Sequence, residues 1–207
     1  MLHVPEEHVY RWIREKAIPA HRVGEHYRLH RSELLEWATA RGMRVSHSQF
    51  PPPLATATPT VADALEAGGI HAHVPGTDRD SVLRAVVERM PVEPDDREML
   101  FDFLSAREAI GSTGIGDGIA IPHVRSPVVL PGAGASITLC FLESGVDFHA
   151  IDGKPVTTLF VVVSPTVRAH LSLLSRLSAA LHDAGFKRAV AERAAADVIL
   201  AEARRLA

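Results

Sequence analysis

Residues 156–165 read VTTLFVVVSP, a run of apolar and β-branched residues that ends in a serine–proline pair. Residues 137–142, ITLCFL, form a second run of this kind. Short, dense apolar runs are typical of strands that are buried on both faces of a sheet. We interpret Ser164 and Pro165 as the cap and first turn of a helix that continues to about His182.

Further helical segments lie on both sides of these two strands in the sequence. Apolar residues recur at helical spacing from Asp80 to Met90 and from Asp95 to Arg107, with acidic residues in the first turns. Two shorter helical stretches complete the C-terminal part. The pattern therefore predicts an α/β fold in which helices flank a central mixed β-sheet.

Length and composition exclude several classes of protein. With 207 residues, 46% of them hydrophobic and 23% charged, the chain fits one large or two small globular domains rather than a disordered or coiled-coil protein. The run Val156 to Val163 is far shorter than the roughly 18 residues that a membrane-spanning helix needs. The single cysteine, Cys140, fits a reducing compartment, and the first residues do not resemble a signal peptide. We predict a cytoplasmic protein without membrane insertion.

Charge and proline content divide the chain into two modules. The first 50 residues carry eight Lys/Arg against six Asp/Glu, whereas the remainder carries fourteen against nineteen. Between them, residues 45–62 contain no charged side chain other than histidine and include prolines at 51, 52, 53 and 59. Consecutive prolines favour an extended, semi-rigid segment. We predict an N-terminal module over residues 1–44, a linker over 45–60 and a second domain over 61–207.

The N-terminal module has the pattern of a helix, a hairpin and a second helix. Pro5 to about Lys16 has helical spacing, and residues 21–23 and 27–29 alternate around a glycine as a short hairpin does. Ser32 is a candidate N-cap for the second helix, and Gly42 follows its end as a C-cap.

The segment 107–123, REAIGSTGIGDGIAIPH, has the composition of a functional loop. Its glycines lack the G-x-G-x-x-G spacing, no Lys-Ser/Thr pair follows them, and they lead into a strand, so dinucleotide and P-loop sites are excluded. Successive N–H groups in such a loop can bind an anion. An ordinary glycine-rich surface loop is the alternative.

Three side chains are candidates for chemistry, and each also has a structural explanation. His123 directly follows Pro122, which restricts its orientation, although many histidines beside apolar strands are structural. His170 shares a helical face with Leu174, Leu177 and Leu181, so it could be a core residue. Arg107 could interact only with the dipole at the end of its helix.

Taken together, these sequence segments resemble those of a known protein family. From about Val61 to Ala207 the chain is similar to the phosphotransferase-system enzyme IIA domains of the fructose/mannitol type, especially the nitrogen-regulatory branch, through REAIGSTGIGDGIAIPH, GVDFHAIDGKPVTTLFVVVSP and HLSLLSRL. The resemblance implies that His123 accepts a phosphoryl group from a phosphocarrier protein. It also implies that His170 and Arg107 line the same pocket.

The chemistry of phosphoryl transfer explains these residue types. Its loose transition state requires positioning and charge neutralisation, which the fork of Arg107 and a hydrogen bond from His170 can supply. Loop N–H groups would complete an anion cradle. The cradle residues are Ser112, Thr113, Gly114 and Gly116. The resemblance implies no cofactor and no metal, and the chain has no H-E-x-x-H motif.

Residues 2–41 resemble the excisionase-type winged helix-turn-helix that is related to the MerR class. The resemblance implies that the first helix enters the major groove and that four arginines contact DNA. They are Arg11, Arg14, Arg22 and Arg28. In the family another helix precedes the position of Leu2, so we also keep a role in protein contacts, or a merely solvated basic surface, as alternatives.

The combined interpretation is a histidine phosphoryl carrier in a relay rather than a conventional turnover enzyme. Its expected partners are an HPr-type phosphocarrier or its nitrogen-branch analogue, a downstream regulatory target or enzyme IIB, and DNA through the N-terminal module. The alternatives are an enzyme IIA of a sugar-uptake chain with an inert or protein-binding N-terminal module, and a binding protein whose pocket no longer takes phosphate.

Overall fold

A computed structural model describes residues 6–15, 17–23, 26–29, 34, 37, 41, 59–124 and 134–206. The chain divides into two compact units, Met1–Ala57 and Thr58–Ala207. Of the predicted linker, only Pro59 and Thr60 belong to the described residues, and the predicted caps Ser32 and Gly42 lie outside them.

The N-terminal unit contains a helix and a hairpin where the sequence predicts them. Helix α1 spans Glu6–Arg14, and strands β1 (His21–Val23) and β2 (His26–Arg28) pair antiparallel, with β2 one residue earlier than predicted. Trp37 lies in a helical position, and its indole N–H donates to the Ala17 carbonyl. Its ring lies 5.2 Å from that of Trp12, so Trp37 packs against α1. Most of the predicted second helix lies outside the described residues.

The C-terminal unit contains both helices and strands. Its elements are α2 (Val61–Gly68), β3 (Ile70–Val74), α3 (Arg79–Arg89), α4 (Pro94–Ile110), β4 (Gly114–Gly116), β5 (Ile119–Ala120), β6 (Ser136–Val146), β7 (Val156–Val163), α5 (Val167–His182), α6 (Ala184–Ala191) and α7 (Ala196–Arg205). The two predicted strands and the two predicted helices before them are confirmed, with β6 and α4 longer than expected. No helix among the described residues has both the length and the apolar character needed to cross a membrane.

The five strands of this unit form one mixed sheet in the order β3-β6-β7-β5-β4. The long strands β6 and β7 pair antiparallel at its centre, and β3 and β5 add parallel to them on either side. The apolar runs that predict these strands are buried almost throughout. The predicted mixed sheet with flanking helices is therefore the observed fold.

Helix α5 starts later than the sequence predicts. Thr166 is its N-cap, because the Thr166 hydroxyl accepts a hydrogen bond from the Ala169 N–H at 3.2 Å. Ser164 is fully buried at the end of β7, and its hydroxyl has no hydrogen-bond partner in the described part of the chain. The prediction of a Ser164–Pro165 cap is therefore wrong, since a second candidate cap two residues later bonds the helix instead.

Residues 61–74, for which the sequence predicts no element, form α2 and β3. Thr60 and Asp63 form a reciprocal capping box at the start of α2. At its end, a Cβ on Gly68 would lie 2.3 Å from the Ile137 carbonyl oxygen, so the helix terminus lies directly on β6. This close approach places α2 against the sheet.

Helices α2, α5, α6 and α7 contribute to one core on the sheet. Phe160 and Val162 of β7 belong to the same buried cluster as Leu173 and Leu177 of α5. Side chains two apart on a strand share a face, so the α5 side of β7 is the face of residues 160 and 162. The candidate site described below lies beside Val162, on this part of β7.

Candidate functional site

His123 lies just beyond β5, alongside β7. The chain continues from β5 in the same direction, and the Val162 N–H donates to the Pro122 carbonyl at 2.9 Å. His123 itself forms a parallel bridge with Val162. The backbone of this histidine is therefore fixed to the central sheet although the residue lies outside a regular strand.

The His123 ring has one nitrogen engaged. Its Nδ1 lies 2.8 Å from the Ile121 carbonyl oxygen, which requires Nδ1 to carry the proton and leaves Nε2 with a lone pair in the neutral ring. Burial lowers the pKa of His123, the bond to Ile121 raises it, the Arg107 charge lowers it and the Glu108 charge raises it, with a net lowering. The ring is therefore neutral at pH 7.

His170 faces His123 from the first turn of α5. The two ring centroids are 5.4 Å apart and the planes are inclined by 43°. His170 is only 7% exposed, and its Nδ1 is buried without a hydrogen-bond partner among the described residues. Burial, and then the neighbouring His123, lower the pKa of His170. Two neutral imidazoles therefore lie side by side, one of them with an unsatisfied nitrogen.

Arg107 occupies the last turn of α4 and is half-buried. One guanidinium nitrogen donates to the Gly111 carbonyl at 2.8 Å, as expected for a cation at a helix C-terminus. Its charge is also one cause of the lowered pKa of His123. Since a guanidinium has five donors, the contact with Gly111 leaves others for an anion.

Glu108 is a site residue that the sequence does not predict. It is 5% exposed, and its carboxylate accepts the Thr113 N–H at 2.9 Å and the Thr113 hydroxyl at 2.6 Å. This pair closes the start of the glycine-rich loop over the end of α4. Nothing in the pattern of residues 107–123 distinguishes Glu108 from an ordinary surface glutamate.

The predicted cradle residues lie together in the loop, but part of their donors are engaged. The Ser112 hydroxyl donates to the Phe148 carbonyl at 2.5 Å and accepts the Gly114 N–H at 2.9 Å. The Thr113 N–H is donated to Glu108. A Cβ on Gly114 would lie 2.7 Å from that of Ala150, so only glycine fits there. The loop is thus held tightly between α4 and the segment around Phe148.

Exposed apolar side chains lie on the segments that carry these residues. Ile110 and Ile115 belong to α4 and β4, Val167 and Leu171 flank His170 on α5, and Ile151 is 87% exposed. Ile151 also approaches the position where a Gly116 side chain would begin. Exposed apolar side chains of this kind are typical of a protein-binding surface.

The predicted DNA contacts belong to the N-terminal unit. Arg11 and Arg14 are exposed in the last turn of α1, while Arg22 lies in β1 and Arg28 in β2. Across the described ranges of both units, no three His, Cys, Asp or Glu residues converge as metal ligands would.

Comparison with protein families gives two matches. The model described as "Phosphoenolpyruvate-dependent sugar phosphotransferase system, EIIA 2" matches residues 65–202, and a helix-turn-helix domain model matches residues 1–42. A nitrogen regulatory protein of Pseudomonas aeruginosa is 40% identical over 122 residues, which are 56% of this chain and 77% of that protein. The fructose-specific EIIA component of Haloferax volcanii is 40% identical over 91 residues, which are 42% of this chain and 56% of that protein.

Solved structures agree with the fold. The crystal structure of nitrogen regulatory protein IIA-Ntr from Neisseria meningitidis matches with a TM-score of 0.56 at 27% identity, covering 65% of this chain and 92% of that one. The crystal structure of IIA mannitol from Escherichia coli matches with a TM-score of 0.51 at 19% identity, covering 65% and 94%. The second likeness concerns the fold alone.

Proposed function

Because this chain belongs to the EIIA 2 family of the phosphoenolpyruvate-dependent sugar phosphotransferase system over residues 65–202, we propose that His123 is the residue that carries the phosphoryl group in this phosphocarrier domain. The observation that supports this choice is the state of its ring. His123 is neutral, its Nδ1 is held by the Ile121 carbonyl, and its Nε2 retains a lone pair.

In the proposed step, Nε2 of His123 attacks the phosphorus of a phosphorylated donor protein. The bond between Nε2 and phosphorus forms while the donor's bond to phosphorus breaks, and its electron pair returns to the donor. His123 loses no proton during attack, because Nε2 carries none before the reaction. The Ile121 carbonyl continues to accept the Nδ1–H and stabilises the cationic character that the ring acquires.

Arg107 and His170 support the transfer without accepting the phosphoryl group. Arg107 supplies positive charge and further N–H donors to the phosphoryl oxygens, which suits a transition state that depends on charge neutralisation. A neutral His170 has one N–H, which it donates to the same oxygens across the 5.4 Å between the rings.

The phosphate cradle of Ser112, Thr113, Gly114 and Gly116 remains part of the proposal. The Thr113 and Gly114 N–H groups would contribute only by leaving Glu108 and Ser112, their present acceptors. In the arrangement described, these contacts instead stiffen the loop between Arg107 and His123. They thereby fix the position of one side chain relative to the other.

The exposed apolar residues beside the site suit a protein donor and a protein acceptor. We propose an HPr-type phosphocarrier or its nitrogen-branch analogue as donor, and an enzyme IIB or a regulatory target as acceptor. Val167 and Leu171, which lie on the same helix as His170, would take part in this contact, where apolar side chains contribute to binding. A cytoplasmic location stays a prediction from the sequence.

The helix-turn-helix match favours a regulatory role linked to DNA over a role in sugar uptake. The relatives include both nitrogen regulatory proteins and fructose-specific EIIA components. The second candidate is therefore an EIIA of a sugar-uptake chain whose N-terminal unit binds protein or is inert. DNA binding separates the two.

The test is phosphorylation in a reconstituted relay. With enzyme I, an HPr-type carrier and phosphoenolpyruvate, the protein should acquire an acid-labile, base-stable label, and the ¹H–¹⁵N resonances of the His123 ring should assign the phosphorus to Nε2. His123→Ala should abolish the label, whereas the exposed His182→Ala should retain it. Label that persists in His123→Ala would sink the assignment.

A further inference from the structure

A wide groove opens at the end of the sheet that is remote from His123. Strands β5 and β7 run parallel, with Ile119 beside Thr158 at their start and His123 beside Val162 further along. Four residues of strand separate these two levels by about 13 Å. The groove lies at the starting level and has a volume of about 730 Å³, within the range of small-molecule sites.

Three cationic side chains from three segments line this groove. Lys154 precedes β7, Lys187 lies on α6 and Arg193 follows α6. The carboxylate of Asp117 lines the groove with them. The remaining wall is partly apolar, formed by residues such as Ile119, Pro155 and Val190. Such a lining suits a small molecule with several negative charges, because charge-assisted bonds from separate directions fix its orientation.

Arg193 is held in place by its backbone and by an aromatic ring. Its φ of +51° is the left-handed conformation, which non-glycine residues adopt rarely. Its guanidinium carbon lies 5.7 Å from the centroid of the Phe141 ring. Within residues 59–124 and 134–206 no carboxylate forms an ion pair with Arg193.

Asp117 acts as an internal counterion in the groove. Its carboxylate lies 2.7 Å from the Lys187 ammonium, which lowers the pKa of Asp117. Asp117 also has a left-handed φ of +52°, and its N–H donates to Asp152 at 2.9 Å. Asp152 in turn lies 3.9 Å from the Lys154 ammonium. An incoming anion would therefore compete with Asp117 for Lys187, the better-paired of the two lysines.

We propose that this groove is a binding site for a small oxyanion with more than one negative charge, a phosphate or a polycarboxylate, that displaces Asp117 from Lys187. Lys154, Lys187 and Arg193 hold the ligand. The site is separate from the phosphoryl chemistry of His123, and its occupancy requires no phosphorylation. A groove this open to solvent predicts weak, millimolar binding that depends on ionic strength.

The experiment is an NMR titration of the ¹⁵N-labelled full chain at constant ionic strength. The probes are pyrophosphate, citrate and, as the monovalent reference, chloride. We expect saturable shifts at the amides of Gly118, Gly145 and Thr157 with a multivalent probe and none with chloride. A response to pyrophosphate alone identifies a phosphate site, and a response to citrate alone identifies a carboxylate site.

Three variants complete the test. Lys187→Gln combined with Arg193→Gln should weaken binding at least about tenfold, since two charge-assisted bonds are lost. Asp117→Asn should tighten binding, because it removes the competing carboxylate, and asparagine tolerates a left-handed φ. Arg204→Gln, at a surface ion pair with Glu66, should leave binding unchanged. Unsaturable shifts, or equal affinity in the charge-deleted and wild-type proteins, would overturn the proposal.

Discussion

At the scale of single residues, the site depends on two imidazoles that burial keeps neutral. An isolated buried polar nitrogen costs stability, yet the Nδ1 of His170 has no partner within the described chain. Beside it, His123 has one nitrogen bonded to Ile121 and the other available. The two rings therefore differ in how far their hydrogen-bonding capacity is used.

Substitution of the two supporting side chains should slow phosphorylation without abolishing the fold. Removing one preorganised donor typically costs on the order of 10²-fold in rate, about 3 kcal/mol. Arg107→Gln and His170→Gln should both show such a loss in single-turnover labelling of His123. Arg176→Gln, on the exposed face of α5, is the control. Wild-type rates in both site variants would leave His123 without a supporting pocket.

The lowered pKa values of His123 and His170 predict how stability depends on pH. Below their ordinary pKa of 6.5 the unfolded chain binds protons that the folded site does not, so the free energy of unfolding should fall as pH decreases. The loss should begin near pH 6.5, above the region near 3.8 where aspartates such as Asp117 act. Well above pH 6.5 both histidines are neutral in the folded and in the unfolded chain, so this loss of stability is absent there.

Urea unfolding at a series of pH values from about 7.5 to about 5, which brackets the ordinary histidine pKa, would measure this effect. Both tryptophans, Trp12 and Trp37, lie in the N-terminal unit. A circular-dichroism transition without a fluorescence change therefore reports the C-terminal unit. The His123→Gln/His170→Gln variant should have a flatter profile, and an identical slope in both proteins would contradict the assigned pKa directions.

At the scale of elements, the glycine-rich loop is shaped by contact with the segment around Ala150. The Ser112 hydroxyl and Glu108 anchor it by hydrogen bonds, and Gly114 lets it lie against Ala150. The loop is therefore a packed connection between α4 and β5. Because this packed loop joins the two segments, it fixes the position of Arg107 relative to His123.

Gly114→Ala should disturb this packing, because the new Cβ would lie 2.7 Å from the Cβ and 2.8 Å from the Cα of Ala150. Overpacking of this kind costs about 1–3 kcal/mol, and labelling of His123 should slow as the loop shifts. The matched control is Gly111→Ala, at an extended φ of 173° with no atom within 4 Å of the added Cβ. Equal stability of the two variants by urea unfolding would show that the loop adapts freely.

At the scale of the whole molecule, the chain forms two compact units, and the two candidate functions differ in which units they need. The C-terminal unit contains the proposed His123 site. The N-terminal unit contains the helix with exposed Arg11 and Arg14 and the small hairpin. A regulatory role linked to DNA requires both units, whereas a role in sugar uptake requires only the C-terminal unit.

DNA binding by the N-terminal unit should be weak and should fall steeply with salt, with log K decreasing by about 0.9 per log unit of salt for each contacted phosphate. Arg11→Ala combined with Arg14→Ala should reduce both the affinity and this slope in an anisotropy titration of labelled duplex DNA. Arg204→Ala, in the other unit, should change neither. Absence of binding at low salt would favour a protein-binding N-terminal unit and the sugar-uptake alternative.

Much of the fold and part of the site follow from local sequence. Dense β-branched runs predict β6 and β7, and helical spacing predicts α3 and α4, because these patterns act over a few residues. The Gly-rich loop ending at His123 likewise marks the candidate site from local sequence. The short elements α2 and β3 were not predictable in this way, since their place depends on contact with β6. The true cap of α5 also required the structure, because Ser164 and Thr166 are both plausible caps.

The sequence alone singled out His123, His170 and Arg107 as candidates for the site, and the tertiary structure decided the state of these side chains. His123 and His170 are 47 residues apart, and only the parallel pairing beside β7 and the docking of α5 bring their rings to 5.4 Å. Burial, which no local pattern specifies, lowers both pKa values and recruits Glu108 to the loop. The sequence specifies the residue types directly. The distance between the two rings and the desolvation of these side chains arise only when segments far apart in the sequence pack together.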